Sequence, residues 1–260
     1  MEHIYPAFER GRIMKKELLW ALRDYSYSAL QLQYQDYSDG IIRGCRLRTE
    51  DNCLIAGKGI IKCQDFIFLI TEEERIEYAP TEEFVSLKFR VKLREELPDY
   101  VRYITEFALD KNPERTRNEL EICRFKLKQG ACLRTEYKDF YDIQTEFDTV
   151  NLADATWAGI GGNTLSKEVT DYFAKEVLKC RAADGQDLQF AYLLLQGREA
   201  VNRGTIEDYI YRKTEGRRSE IQSTKDMFQK LEDILEGIRN GERTYGMARE
   251  EENGRMIIMD

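Results

Sequence analysis

The residues in this chain best equipped for chemistry are six cysteines, Cys45, Cys53, Cys63, Cys123, Cys132 and Cys180, and a single histidine, His3. No two of the cysteines form a CxxC pair, and one imidazole cannot complete a Cys/His zinc set. No metal is expected, and the thiols read as reduced, mostly buried small hydrophobes. A Ser or Cys nucleophile needs a nearby base, and His3 stands among the first residues, so triad chemistry is not expected. Carboxylates occur in runs, Glu72-Glu73-Glu74, Glu95-Glu96 and Glu250-Glu251-Glu252. A solvated face or turn explains each run, whereas an acid and base pair of carboxylates would meet only in space. The glycine-rich run from Trp157 to Asn163 precedes a helix, where phosphate loops sit. It continues as Asn163-Thr164-Leu165, without the Lys and Ser or Thr that hold phosphate and Mg²⁺, and it has no βαβ context. It reads as a linker, with no cofactor implied. The basic cluster of Arg212, Lys213, Arg217 and Arg218 suits helix ends or a partner's acidic patch.

Composition narrows the classes further. The 260 residues carry 40 basic and 48 acidic side chains, a net charge of −8, so the molecule as a whole repels a phosphate backbone and nucleic acid is not an expected partner. There is no apolar run of membrane-spanning length and the first residues lack a signal-peptide core, so membrane insertion is not expected and the expected location is the cytoplasm. With 42% hydrophobic residues and only 4 prolines, the chain should fold almost throughout. Aromatics are weighted to 15 Tyr and 12 Phe against 2 Trp, and tyrosine, with an apolar ring and a polar tip, suits half-buried strands and protein interfaces.

The elements follow from periodicity. After a lead-in anchored by Ile4, Tyr5 and Phe8, the residues Met14, Leu18, Ala21, Leu22 and Tyr25 share one helical face. A second short segment repeats Tyr27, Leu30, Tyr34 and Tyr37 and ends at Ser38-Asp39-Gly40. From about Ile41 to Leu152 the pattern is β. Cys45, Leu47 and Thr49 alternate with Arg46 and Arg48, and Val85, Leu87, Phe89, Val91 and Leu93 alternate with Ser86, Lys88, Arg90 and Lys92. Further strands are expected over Tyr100–Leu109 and Asn118–Leu127, with a bulge near Cys123. Past Gly159 the period becomes helical. Ser166 caps a helix through about Cys180, Asp184-Gly185 breaks it, and Leu188, Ala191, Tyr192 and Leu195 mark the next. Thr205 opens a third, and Ser219 opens a last helix with Met227 or Phe228, Leu231, Ile234, Leu235 and Ile238 as its stripe. The Met256–Met259 run could dock as a strand.

The stretch from Asp39 to Ile70 resembles the N-terminal attachment domains of phage tail-fibre and baseplate proteins. The likeness rests on Asp39-Gly40-Ile41-Ile42-Arg43-Gly44 opening the first strand, Gly59-Ile60-Ile61 after a turn, and the strand Phe66-Ile67-Phe68-Leu69-Ile70. With the helix around Leu18 to Tyr25 before it, the arrangement is also similar to the shell domain of the type VI secretion baseplate adaptor. The resemblance implies a sheet that plugs an adaptor into a baseplate. It gives Asp39, Gly40, Gly44 and Gly59 the role of structural turn residues. No fibrous repeat and no receptor-binding β head follow, which points to a short adaptor or baseplate piece.

The expected architecture is therefore α+β. Residues 1–158 make a leading helix and an antiparallel β-sandwich or barrel, and residues 159–260 a small antiparallel helical bundle with a terminal tail. The expected role is non-enzymatic assembly into a phage tail-like contractile injection particle, with further copies of the chain and other baseplate or tail components as partners. Tyr25, Tyr27, Tyr34 and Tyr37 are the candidate interface residues. The competing readings are a hydrolytic or transferase enzyme with a carboxylate site between the two domains, and a regulatory binding module. Clustered carboxylates of shifted acidity in one pocket would favour the enzyme, and an exposed apolar patch on the first helix or a sheet edge would favour assembly.

Overall fold

Residues 10–11, 13–64, 66–81, 83–214 and 221–241 are described by the computed structural model of the chain. The lead-in with Ile4, Tyr5 and Phe8, His3, Arg217, Arg218, Ser219, Glu250 to Glu252 and the Met256–Met259 run lie outside them. The architecture is α+β, with a leading helix, nine strands in antiparallel sheets and four further helices. The two helical segments expected before Asp39 form one helix, α1 (Lys16–Gln33), because no Gly or Pro interrupts KELLWALRDYSYSALQLQ.

Among the described residues nine strands form three separate three-stranded sheets, and none closes into a barrel. The first joins β1 (Gly40–Gly44), β4 (Gly59–Cys63) and β5 (Phe66–Ile70) in the order β1-β4-β5. The second joins β2 (Leu47–Glu50), β3 (Cys53–Ala56) and β6 (Glu74–Glu77) in the order β2-β3-β6. The third, β8-β7-β9, is built on the long β7 (Val85–Glu96) with β8 (Val101–Asp110) and β9 (Glu119–Phe125). Local backbone explains why the first six strands stay short. Cys45 at φ 51° divides the continuous strand suggested by Cys45, Leu47 and Thr49. Asp51 and Asn52, at φ 47° and 59°, supply the two left-handed residues that a two-residue hairpin needs. On β9, Leu87 faces Cys123 and Lys88 faces Glu121, so Ile122 is the extra residue of the bulge expected near Cys123.

The alternation along β7 has an unexpected outcome. Ser86 and Lys88 are as buried as Leu87 and Phe89. The loop after β8 covers this side and gathers acceptors around the Lys88 ammonium: Asp110 Oδ2 at 3.2 Å, the Glu114 carbonyl at 2.5 Å and Glu119 Oε2 at 3.5 Å. A fully buried ammonium is tolerated only when paired and hydrogen-bonded in this way. Asp110 is held below the usual carboxylate range, first by the Asn112 amide and then by Lys88 and Arg90.

Past a 3₁₀ turn at Tyr141–Gln144, the helices are α2 (Lys167–Lys179), α3 (Gly185–Gln196), α4 (Arg203–Thr214) and α5 (Thr224–Asn240). Ser166 caps α2 by accepting from the Val169 amide. Ser223 starts α5 in a capping box with Asp226, four residues after the expected Ser219, and Gly241 ends it in the left-handed conformation. The stripe Met227, Phe228, Leu231, Ile234, Leu235 and Ile238 is buried as the spacing predicts. On α3 the buried side is Asp187, Phe190, Ala191 and Leu194, rotated from the predicted Leu188 and Tyr192 because Phe190 stacks on Tyr209 at 3.9 Å. Lys213 is buried as well, with Asp184 and Asp187 at 2.6 and 2.7 Å, so the basic cluster does not present it to a partner.

Candidate assembly interface

The first sheet has two covered faces. Ile41, Ile61, Cys63 and Phe68 belong to the main core, which extends to the α5 stripe, while Ile42 and Ile67 form a small second core with Tyr34 and Ala158. Leu30 packs onto this second core and seats the C-terminal half of α1 on the outer face of the sheet. At 3.6 residues per turn, Tyr25 and Leu32 stand roughly 140–160° around the axis from Leu30. Leu22, Tyr25, Ala29 and Leu32 thus make an apolar stripe turned away from the chain's own fold, and Leu18 and Ala21, half-buried, continue it towards the start of the helix. Leu22 is 46%, Leu32 65% and Tyr25 73% exposed, and no residue of α1 is buried. An amphipathic helix normally turns this side inward.

What fixes the end of this helix is Lys62. Its side chain is 6% exposed, and Nζ donates to the carbonyls of Tyr34, Gln35 and Tyr37 at 3.1, 2.9 and 2.6 Å. A positive charge here also complements the negative end of the helix dipole. The four candidate tyrosines consequently divide. Tyr25 and Tyr27 are exposed, Tyr34 is buried, and Tyr37 is half-buried with its hydroxyl donating to Glu199 Oε2 at 3.3 Å. Burial raises the Tyr34 and Tyr37 phenols above their ordinary value, with Glu199 adding to the effect.

Asp39 and Gly40 open β1, and Gly44 and Gly59 face each other at its other end. The Asp39 carboxylate accepts from the Gln64 amide at 2.9 Å, and its carbonyl accepts from Asn163 Nδ2 at 2.5 Å. Gly40, at φ 150°, lies so close to the 156–158 backbone that a Cβ would stand 2.6 Å from the Ala158 nitrogen. Gly44, at φ 76°, faces Gly59 across the β1–β4 ladder, and a Cβ there would overlap the Lys58 carbonyl. The glycine-rich run, read as a linker, is held in place. The Ile41 and Trp157 backbones bridge, Ser38 donates its amide to the Gly159 carbonyl at 3.0 Å, and Asn163 Nδ2 also reaches Ser38 and the Trp157 carbonyl. Lys62 and Asn163, which hold α1 and this run, had no sequence signal, since their partners are main-chain atoms distant in sequence.

Beside α1, a groove of about 390 Å³ runs along β5. It touches all five consecutive residues Phe66 to Ile70, is roofed by Tyr27 and Leu30, and is closed on the far side by Thr105 of β8. Among the described residues no charged side chain lines it.

No protein-family model matches the sequence, and no curated protein matches it. Among solved structures, a crystal structure of TssK is similar over 92% of this chain and 69% of that one, at 9% identity and a TM-score of 0.39. The cryo-electron microscopy structure of the type VI secretion system TssK-TssF-TssG baseplate subcomplex is similar over 91% of this chain and 100% of that one, at 7% identity and a TM-score of 0.38. At this level of likeness, function has to be read from the chain's own residues.

The place where an acid and base pair would have to sit is a polar cleft of about 190 Å³ between the β9 region and the starts of α4 and α5. Its carboxylates are Glu121 and Asp154. Glu121 is tied on both oxygens by Arg124, at 2.6 and 2.9 Å, and accepts from Ser86 at 3.1 Å. Burial raises Asp154, but Arg124 Nη1 lies 3.2 Å from it, and Arg115 and Arg203 also line the cleft. Arg124 thus holds Glu121 as an ion-paired carboxylate through two charge-assisted hydrogen bonds and lies against Asp154 as well. Burial lifts the Cys45 and Cys63 thiols to about 12 and about 11, which removes the thiolate needed for reactivity. Among the described residues no group of His, Cys, Asp and Glu is placed to hold a metal, and no helix is long and apolar enough to cross a membrane.

Proposed function

We propose that this chain is a structural assembly protein, a baseplate or adaptor component of a phage tail-like contractile injection particle, that works by protein–protein contact and performs no catalysis. The observation that carries the assembly part is the outward apolar stripe of α1: an exposed helix face of Leu22, Tyr25 and Leu32 becomes stable when a partner covers it. The particle itself is suggested by the likeness of the Asp39–Ile70 segment to attachment domains. Further copies of the chain and neighbouring baseplate components are the partners in this reading.

The test pairs light scattering with pull-down of components encoded beside the chain. The expected result is a complex heavier than the 30.6 kDa chain, lost in a Leu22→Asp/Tyr25→Asp double variant whose melting temperature is unchanged. A monodisperse monomer that binds none of those components, or a double variant that assembles like the parent, overturns the assembly reading.

A further inference from the structure

Five consecutive residues of one strand line the groove beside α1, and this tells how the groove is built. Side chains alternate between the two faces of a strand. Phe66, Phe68 and Ile70 pack towards the main core, and Ile67 belongs to the second core under α1. A depression that touches all of them runs along the strand's edge and not over one face. The sheet order β1-β4-β5 makes that edge a free one, since β5 pairs only with β4. Every second residue of an edge strand turns its N–H and C=O away from its neighbour, and among the described residues no other backbone group takes up these bonds from Phe66 to Ile70. Leu69 is 57% exposed beside them.

We infer that this groove receives an extended, uncharged, apolar strand of a partner polypeptide, which pairs with the free edge of β5 beneath Tyr27 and Leu30 of α1. Three features select this occupant. The unpaired edge asks for backbone donors and acceptors at strand spacing, which a peptide supplies and a lipid chain does not. The lining, apolar apart from side chains such as Ser26, Gln31 and Thr105, holds no charge among the described residues in a chain where 34% of residues are charged, so a charged guest strand would find no counter-ion among them. The roof of Tyr27 and Leu30 and the Thr105 wall flank the strand edge, so a single added strand would lie between them. The inference rests on the assembly reading and names the chemistry of one contact within it.

The test uses the full chain and a panel of synthetic, acetylated seven-residue peptides. Ile, Val, Leu or Phe alternate with Thr or Ser in them, and each has a counterpart N-methylated at alternate amides. Fluorescence anisotropy should find panel members that bind, with at least a tenfold loss on N-methylation and with the Leu69→Asp chain. Amide exchange at Phe66–Ile70 should slow in the complex. A panel with no binder, or binders indifferent to N-methylation and to Leu69→Asp, overturns the inference. So does a peptide-free chain whose β5 edge is already protected. Protection that grows with concentration would name a second copy as the occupant, and protection independent of concentration would name a segment of the chain itself. If Leu69→Asp leaves the assembly intact while Leu22→Asp/Tyr25→Asp abolishes it, the strand-pairing inference falls and the assembly reading stands.

Discussion

Lys62 shows how one side chain can decide where a helix stops and what it leaves uncovered. Its ammonium collects the carbonyls of Tyr34, Gln35 and Tyr37 where the chain's first helix ends beside an apolar sheet face, and the Tyr34 carbonyl also accepts from the Tyr37 amide at 3.2 Å. Hydrogen bonds to a charged donor are the stronger kind, and the cost of leaving buried acceptors unpaired exceeds the net gain of making the bonds. Lys62→Met keeps the aliphatic stem and removes the donor. It is expected to lower the unfolding free energy by about 3 kcal/mol in urea titration. It should also speed amide exchange in the last turn of α1 more than in α5. Equal acceleration in both helices would show that the lysine serves the fold in general and not the seating of α1.

At the scale of elements, the β1–β4 ladder places Gly44 opposite Gly59, with the backbones in contact at the point where β1 gives way to Cys45. Gly44→Ala combines a left-handed φ with overlap against the Lys58 carbonyl, and is expected to destabilise by about 3 kcal/mol, read as a shifted denaturant midpoint at constant slope. An effect below about 0.5 kcal/mol would mean that the two strands can part at no cost. The stripe of α5 and the cap at Ser166 were legible in the sequence because side-chain spacing and a capping residue are local properties. The α1 stripe was legible as a face but not in its direction, because only the position of Leu30 on the sheet says which side is outward. The burial of Ser86 and Lys88 was not legible, because strand alternation cannot see the loop after β8 that covers them. The β5 groove left no trace at all, since an edge is defined by which strands do not pair.

At the scale of the whole molecule, the main apolar core has residues on both sides of position 158, where the sequence suggested a boundary between two domains. The main cluster runs without a gap from Ile41 and Phe89 in the sheets, through Phe140, to Phe173 and Ile238 in the helices. Phe140 sits at the join, stacked on Phe228 at 4.4 Å and 12° and edge-on to Phe173 at 5.5 Å. Its ring thus touches two helices from a loop that follows the last strand, a geometry in which aromatic contact adds to the area buried. If sheets and helices share this core, neither should survive the loss of the other. The wild-type chain is expected to unfold in a single transition, with far-ultraviolet circular dichroism and the exposure of buried Cys123 to a thiol reagent giving the same midpoint. Phe140→Ala removes a fully buried ring and is expected to cost about 3–5 kcal/mol, moving both probes together. Two separate midpoints, with only the helical signal moved by Phe140→Ala, would mean that the sheets hold their own core and that the α1 stripe and the β5 edge could be studied on residues 1–158 alone.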